Sequence, residues 1–195
     1  MQEHLNDTFV KRAQKEGYRA RAAYKLIEID DKDKLIKSGM TIVDLGSTPG
    51  SWSQVAVQRL KGQGKVIALD ILEMQPIAGV TFIQGDFREE TVLKQLEENL
   101  NNKQVDLVIA DMAPNISGVK DVDLAGSAYL TELALDFCVH WLKPNGNFLV
   151  KVFIGTGFEE IVKAMRLQFN KVVTRKPKAS RDRSSEVYLL GIGKK

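Results

Sequence analysis

Four charged residues occupy positions that solubility alone does not explain. Lys151 interrupts the apolar run Phe148-Leu149-Val150-Lys151-Val152-Phe153, and Glu186 opens the β-branched, apolar stretch Glu186-Val187-Tyr188-Leu189-Leu190. Asp111 closes the run Val105 to Ala110, and Lys25 lies in the helix-forming string Arg21-Ala22-Ala23-Tyr24-Lys25-Leu26. An ammonium flanked by apolar neighbours loses hydration, and desolvation favours its neutral, basic form. A neutral lysine can take the proton of a hydroxyl so that the oxygen attacks an electrophilic carbon. For Lys151 alone, the plainer reading is a strand-end lysine whose head reaches water along its aliphatic stem. The company of Lys25, Asp111 and Glu186 in one cleft favours chemistry.

A second constellation is the string DLGSTPGSW, Asp44 to Trp52. The apolar run Met40 to Val43 precedes it, Asp44 closes that run, Gly46 permits a tight turn, and Gly50 lets backbone approach a ligand before a helix begins near Ser51. The spacing is not that of a dinucleotide fingerprint, because Ser47, Thr48 and Pro49 follow Gly46 where G-x-G-x-x-G needs further glycines. An acidic strand end beside a turn of small residues suits a cationic ligand, and S-adenosylmethionine carries both an amino group and a sulfonium. An ordinary strand-to-helix turn is the alternative. Three further strand ends are acidic: Asp70 after KVIAL, Asp86 in QGDF and Asp111 in ADMAPN. Asp70 lies 24 residues beyond Gly46, near the offset of about 20 at which an acidic residue meets a ribose hydroxyl. Asp86 would face the adenine amino group and Trp52 the methionine part of the ligand. Capping of the next helix, and a core position for Trp52, are the plainer alternatives.

The elements that must hold these residues alternate along the chain. A helical region is expected from about 5 to 29, then strands at 41–45, 65–70, 80–84, 105–110 and 147–153. Helices are expected at about 51–61, 89–100, 126–142 and 157–169, with a stop at Lys143-Pro144-Asn145-Gly146. Two last strands, about 171–175 and 186–192, are expected to pair antiparallel. Such alternation predicts a mainly parallel sheet with helices on both faces, which places strand-end residues where open sheets bind ligands. At 195 residues the chain suits one α/β domain, with residues 1–30 as a basic helical extension and 31–195 as the catalytic core.

Charge and cysteine content narrow the function classes. Cys138 is the sole cysteine, so no internal disulfide can form, and with only His4 and His140 no metal-ligand cluster is apparent. No apolar run approaches the ~20 residues that span a bilayer, and no charged-then-apolar leader opens the chain, so a soluble cytoplasmic protein is expected. The net charge is +3, yet residues 10–25 carry +5 and residues 171–183 another +5, leaving −7 for the remainder. Lys11, Arg12, Arg19 and Arg21 in the first segment and Lys176, Lys178, Arg181 and Arg183 in the second would contact the phosphates of a polyanionic partner if the fold brings the segments together, and the family resemblance below makes that partner RNA. Two solvated faces are the alternative.

The strings RAAYKL, DLGSTPGSW, QGDFR, DMAPN, LVKVF and KPKASRDRSSEVY, in this order and separation, closely resemble the FtsJ/RrmJ (RlmE) family of ribosomal RNA 2′-O-methyltransferases. The resemblance covers nearly the whole chain, and Lys25, Asp111, Lys151 and Glu186 match the family's Lys-Asp-Lys-Glu tetrad one by one. It implies a Rossmann-like, seven-stranded methyltransferase fold and S-adenosylmethionine as donor. The implied acceptor is a uridine ribose in the 23S RNA of the assembled large (50S) ribosomal subunit. No metal or membrane is implied, and a monomer is expected. The family's cofactor residues fall on Gly50, Trp52, Asp70, Asp86 and Asp111, while Ser47, Thr48 and Ser51 replace its usual alanines and second glycine. In this reading Lys151 is the general base, Asp111 and Lys25 orient it, and Glu186 fixes the ribose or the lysines. A small-molecule O-methyltransferase would share the loop without needing the basic segments, and a non-catalytic RNA-binding protein would not need the tetrad.

Overall fold

The computed structural model describes residues 7–114, 117–181 and 184–195. Seven strands form one sheet: β1 (Thr41–Leu45), β2 (Lys65–Asp70), β3 (Val80–Gln84), β4 (Val105–Ala110), β5 (Leu142–Phe153), β6 (Phe169–Arg175) and β7 (Glu186–Lys194). Their spatial order is β3-β2-β1-β4-β5-β7-β6. Strands β1 to β5 pair in parallel, whereas β7 inserts antiparallel to both β5 and β6. The chain moves outward from β1 to β3, then returns to lay β4 on the other side of β1. The crevice at the carboxyl ends of β1 and β4 is therefore the topological switch point, where open α/β sheets receive ligands.

Side chains alternate across each strand, and both faces are covered. Val43, Leu45, Ile67, Val108 and Val150 face one core, shared with the helices α4 (Glu90–Leu100), α5 (Lys120–Trp141) and α6 (Phe158–Gln168). Ile42, Val66, Leu107, Leu149 and Leu190 face the other, against α2 (Ala23–Asp33) and α3 (Ser51–Leu60). Each buried aliphatic side chain contributes roughly 1.5–3 kcal/mol. Among the described residues no helix is long and apolar enough to cross a membrane.

Three boundaries differ from the sequence expectation. The amino-terminal helical region is two helices, α1 (Thr8–Glu16) and α2, because Gly17 caps α1 at φ 79° and a left-handed residue ends a helix. Helix α5 begins at Lys120, not Gly126. Asp123 in its first turn ties down the segment that leads into it, accepting from Ser117 N and Oγ at 2.7 Å and from Gly118 N at 3.2 Å. Gly126 answers a different need, since a Cβ there would lie 3.1 Å from Pro114 Cβ. Finally, Lys143 to Gly146 are no stop between elements. Val105 pairs with Leu142 and Leu107 with Asn147, so the four residues bulge out of β5 opposite Asp106, which pairs with Lys143 at 2.7 Å.

Candidate active site

The antiparallel insertion of β7 assembles the charged cluster. Because β7 runs against β5, its first residues lie beside the carboxyl end of β5: Lys151 faces Tyr188 across the ladder, and Phe153 faces Glu186. Lys151, Tyr188 and Glu186 thus share the sheet face covered by α2, and α2 carries Lys25 into reach. Lys151 is 9% exposed. Its Nζ donates to Asp111 O at 2.8 Å and lies 3.2 Å from Asp111 Oδ1. Lys25 Nζ is 2.7 Å from Glu186 Oε1, which also accepts from Ser180 Oγ at 2.9 Å. The structure therefore brings all four expected residues together, as two ion pairs.

Tyr188 joins the pairs. Its hydroxyl donates to Asp111 Oδ1 at 3.0 Å and lies 3.4 Å from Glu186 Oε1, while Lys25 Nζ stands 5.6 Å from the centre of its ring. Burial, together with Asp111 and Glu186, pushes the phenol far above its ordinary value, which keeps Tyr188 a proton donor. Burial alone would raise the Glu186 carboxyl, but the Lys25 ammonium, the Ser180 hydroxyl and the Lys151 charge together hold it below the usual range. Two lysines, two carboxylates and one neutral hydroxyl then share one largely buried cleft. Such a site can orient a hydroxyl by charged hydrogen bonds and take its proton.

The loop after β1 lies next to this cluster. Gly46 has φ 72°, and a Cβ there would stand 2.8 Å from the Met112 backbone Cα. Gly50 has φ 107°, and its Cβ would meet Met74 and Ile77 at 2.9 and 2.6 Å. Both glycines allow close backbone approach, and the Thr48–Pro49 bond between them is cis. Asp44 is fully buried. Its Oδ2 accepts from Ser53 Oγ at 2.6 Å, while Asp44 Oδ1 and Ser47 Oγ are buried without a protein partner. Burial pushes the Asp44 carboxyl up to about 7, opposed by Ser53 and reinforced by Asp111 and Asp70. A carboxyl oxygen and a hydroxyl, both buried and without a protein partner, leave hydrogen-bonding capacity beside the donor loop that a ligand bringing an ammonium would satisfy. The residues thus suit a donor such as S-adenosylmethionine.

The other expected cofactor residues have definite partners. Asp70 ends β2 and accepts from Thr48 N at 2.8 Å and Leu72 N at 2.9 Å, so it ties the loop after β1 to the turn after β2. Asp86 holds Arg88 through both carboxylate oxygens, at 2.9 and 3.0 Å from Nε, and the Arg88 guanidinium keeps that carboxyl below its usual range. Trp52 is 2% exposed. Its Nε1 donates to Ala22 O at 2.9 Å, and its ring lies 5.6 Å from that of Tyr188. It is a core residue that braces Tyr188 from behind.

The two basic segments do meet. Arg21 in the first donates to Ala179 O in the second, and just beyond the first segment Glu28 Oε2 accepts from Lys178 N at 2.9 Å and Asp33 makes a two-point ion pair with Arg175 at 2.7 and 2.8 Å. Their basic side chains are not equivalent, however. Lys11, Lys178 and Arg181 are exposed. Arg12 is exposed too, paired with Glu16 at 2.8 Å. By contrast Arg21 is ion-paired with Asp7, Lys176 Nζ donates to Ser184 O and Glu186 O at 2.7 and 2.6 Å, and Arg19 is bound by three backbone carbonyls. Arg183 lies outside the described residues.

Sequence reasoning missed Tyr188, Ser180 and Ser53. The first had a signal, since a period of two from Glu186 puts Tyr188 on the same face. The serines had none, because loop and helix serines are common and only the fold brings these two to carboxylates.

Comparison with known proteins bears on the chain as a whole. A family model described as FtsJ-like methyltransferase matches residues 18–194. The chain is 79% identical over 192 residues to the ribosomal RNA large subunit methyltransferase E of Methylobacillus flagellatus, covering 98% of this chain and 93% of that one. With the protein of the same description from Nitrosospira multiformis it shares 63% identity, covering 100% and 95%. A crystal structure of a ribosomal RNA methyltransferase from Plasmodium falciparum superposes with a TM-score of 0.82 at 34% identity, covering 91% of this chain and 98% of that one.

Proposed function

The chain belongs to the FtsJ-like methyltransferase family, and from that premise we propose that it methylates the 2′-oxygen of a uridine ribose in the 23S RNA of the assembled large (50S) ribosomal subunit. The relatives named above support the class of RNA, since they are described as methyltransferases of the large-subunit ribosomal RNA. The exposed basic side chains gathered from both segments support a polyanionic partner. The observation that carries the reaction is a lysine in an apolar strand with its Nζ 2.8 Å from Asp111 O, beside the bridge that Tyr188 makes to Glu186.

In this reading S-adenosylmethionine supplies an electrophilic methyl group carried on sulfonium. Asp44, Ser47 and the backbone around Gly46 and Gly50 would hold its amino-acid part, and Asp70 its ribose. Asp86 and Arg88 would border the adenine. Lys151 would take the 2′-hydroxyl proton while the oxygen bonds to the donor methyl carbon in line with the breaking carbon–sulfur bond, so that S-adenosylhomocysteine is the leaving group. Asp111 fixes Lys151 through a carbonyl and a carboxylate oxygen, and the Lys25–Glu186 pair holds the opposite side of the cleft. Alignment of this kind can supply about 7–11 kcal/mol of the barrier. The protein acts as a cytoplasmic monomer.

The test is transfer of labelled methyl groups to large subunits lacking the modification, with wild type beside Lys151→Ala and nuclease mapping of the product. A 2′-O-methylated uridine made by the wild type alone is the expected result. A wild type that binds donor yet labels no ribose would sink the assignment.

A further inference from the structure

Arg19 belongs to the basic run at 10–25, yet its guanidinium is spent on the protein itself. Nη1 donates to Pro49 O at 2.9 Å and to Gln75 O at 2.6 Å, and Nη2 donates to Pro76 O at 2.9 Å. Pro49 belongs to the loop after β1. Gln75 and Pro76 belong to the irregular segment after Asp70, at the end of β2. These segments are two walls of the proposed donor crevice. A Cβ on Gly50 would stand 3.0 Å from Arg19 Nη1, so the guanidinium closes directly over the loop.

The backbone of Arg19 is anchored as firmly as its head. Arg19 N donates to Gln54 Oε1 at 2.9 Å, Gln54 Nε2 donates to Gly17 O at 3.0 Å, and Tyr18 Oη donates to Gln58 Oε1 at 2.7 Å. Gln54 and Gln58 lie on α3, the helix that the loop after β1 leads into. The 17–19 segment is therefore stitched to that helix, and its arginine reaches over the loop to the far wall. Three carbonyl oxygens converge on one cation. Without the cation between them, their partial negative charges repel and the walls move apart. A planar guanidinium fork can serve several carbonyls at once, whereas an ammonium is a single point charge.

We propose that Arg19 is a positioning residue for the methyl donor, strapping the loop after β1 to the segment after β2, and not a phosphate contact. The inference rests on the donor crevice assigned above. Its consequence is a division of labour within one basic run: Arg19 governs donor affinity, and exposed neighbours such as Lys11 meet RNA.

The test uses S-adenosylhomocysteine and the free full-length protein, comparing wild type, Arg19→Ala and Arg19→Lys by titration calorimetry. Each variant is also melted thermally and titrated with an in-vitro transcribed large-subunit RNA fragment over a range of salt. Loss of several charge-assisted hydrogen bonds should raise the S-adenosylhomocysteine Kd about tenfold in Arg19→Ala and by less in Arg19→Lys. RNA affinity and its salt slope should match wild type. An unchanged S-adenosylhomocysteine Kd in both variants overturns the proposal, and a salt slope reduced by about one without change in that Kd makes Arg19 a phosphate contact instead. Should Arg19→Ala not fold, Arg19→Lys keeps the charge and decides by the same two measurements. A wild type that does not bind S-adenosylhomocysteine fails earlier and overturns the donor crevice itself.

Discussion

The Tyr188 hydroxyl donates to Asp111 Oδ1 at 3.0 Å, and the same Asp111 oxygen lies 3.2 Å from Lys151 Nζ. One carboxylate oxygen is thus shared between the lysine proposed as base and a phenol from the neighbouring strand. The phenol supplies a neutral donor that limits how far Asp111 can follow Lys151. It also fixes the direction in which the Lys151 amine points.

Replacing Tyr188 with Phe removes that donor and keeps the ring against Trp52. The fold should survive, at a cost of about 1 kcal/mol for the lost hydrogen bond. Turnover should fall roughly tenfold, in the range of one lost orienting contact, with little change in KM for the donor. Steady-state kinetics beside a thermal melt separate the two effects, and a rise in KM at unchanged kcat would contradict the role.

The buried Asp44 makes stability depend on pH in a definite direction. Its carboxyl is pushed up to about 7 in the folded protein, against about 4 in the unfolded chain. Between those values the folded state keeps a proton that the unfolded state has lost, so stability falls as pH rises through this window. Asp44→Asn lacks this slope. Urea unfolding without donor at pH 5 and pH 8 should show the variant gaining on wild type by roughly 2–3 kcal/mol, the part of the window between pH 5 and the folded value. Equal differences at the two pH values would refute the buried acid.

Gly46→Ala and Gly50→Ala should each lower stability by about 1–3 kcal/mol through left-handed backbone strain and the contacts at Met112 or at Ile77 and Met74. Donor binding should fall further than stability does, because the displaced backbone lines the crevice. Circular dichroism melts paired with S-adenosylhomocysteine titrations test this, and normal affinity in both variants would count against the loop as donor site.

Exposed and engaged basic residues should respond differently to substitution. Lys178→Ala and Arg181→Ala should each reduce the salt slope of RNA binding by about one, as loss of a phosphate contact does. Arg21→Ala should instead loosen the turn around Ala179, visible as faster amide exchange at 176–181. Wild-type slopes in Lys178→Ala and Arg181→Ala would mean that the exposed pair does not meet phosphate.

The sheet was legible in the sequence because its strands are short apolar, β-branched runs bounded by acids and turns, as in Ile42-Val43 and Val66-Ile67. The tetrad was legible for the converse reason, since a lysine such as Lys151 among apolar residues conflicts with its surroundings. What stayed hidden was partnership. Arg19, Arg21 and Lys176 count as positive charge in any sum along the chain, yet each head is bound by backbone carbonyls or an acid that the fold alone brings near. Asp86 likewise reads as a strand-end acid, and only its side-chain geometry shows it gripping Arg88 two residues on. Tyr188 reads as core, and it is core, with one polar atom aimed at the site.

The late arrival of β7 between β5 and β6 has a kinetic meaning. Among the described residues β6 pairs with β7 alone, a pairing of consecutive strands, whereas the edge beside Lys151 is completed by the β5–β7 pairing, which skips a helix and a strand and is the slower kind of contact. Until then β5 exposes an open edge prone to association with other chains. When β7 docks, it delivers Glu186 and Tyr188 in the same event. If the tetrad carries the chemistry proposed above, a chain without that pairing lacks two of the residues around Lys151, and refolding should restore activity together with closure of the sheet.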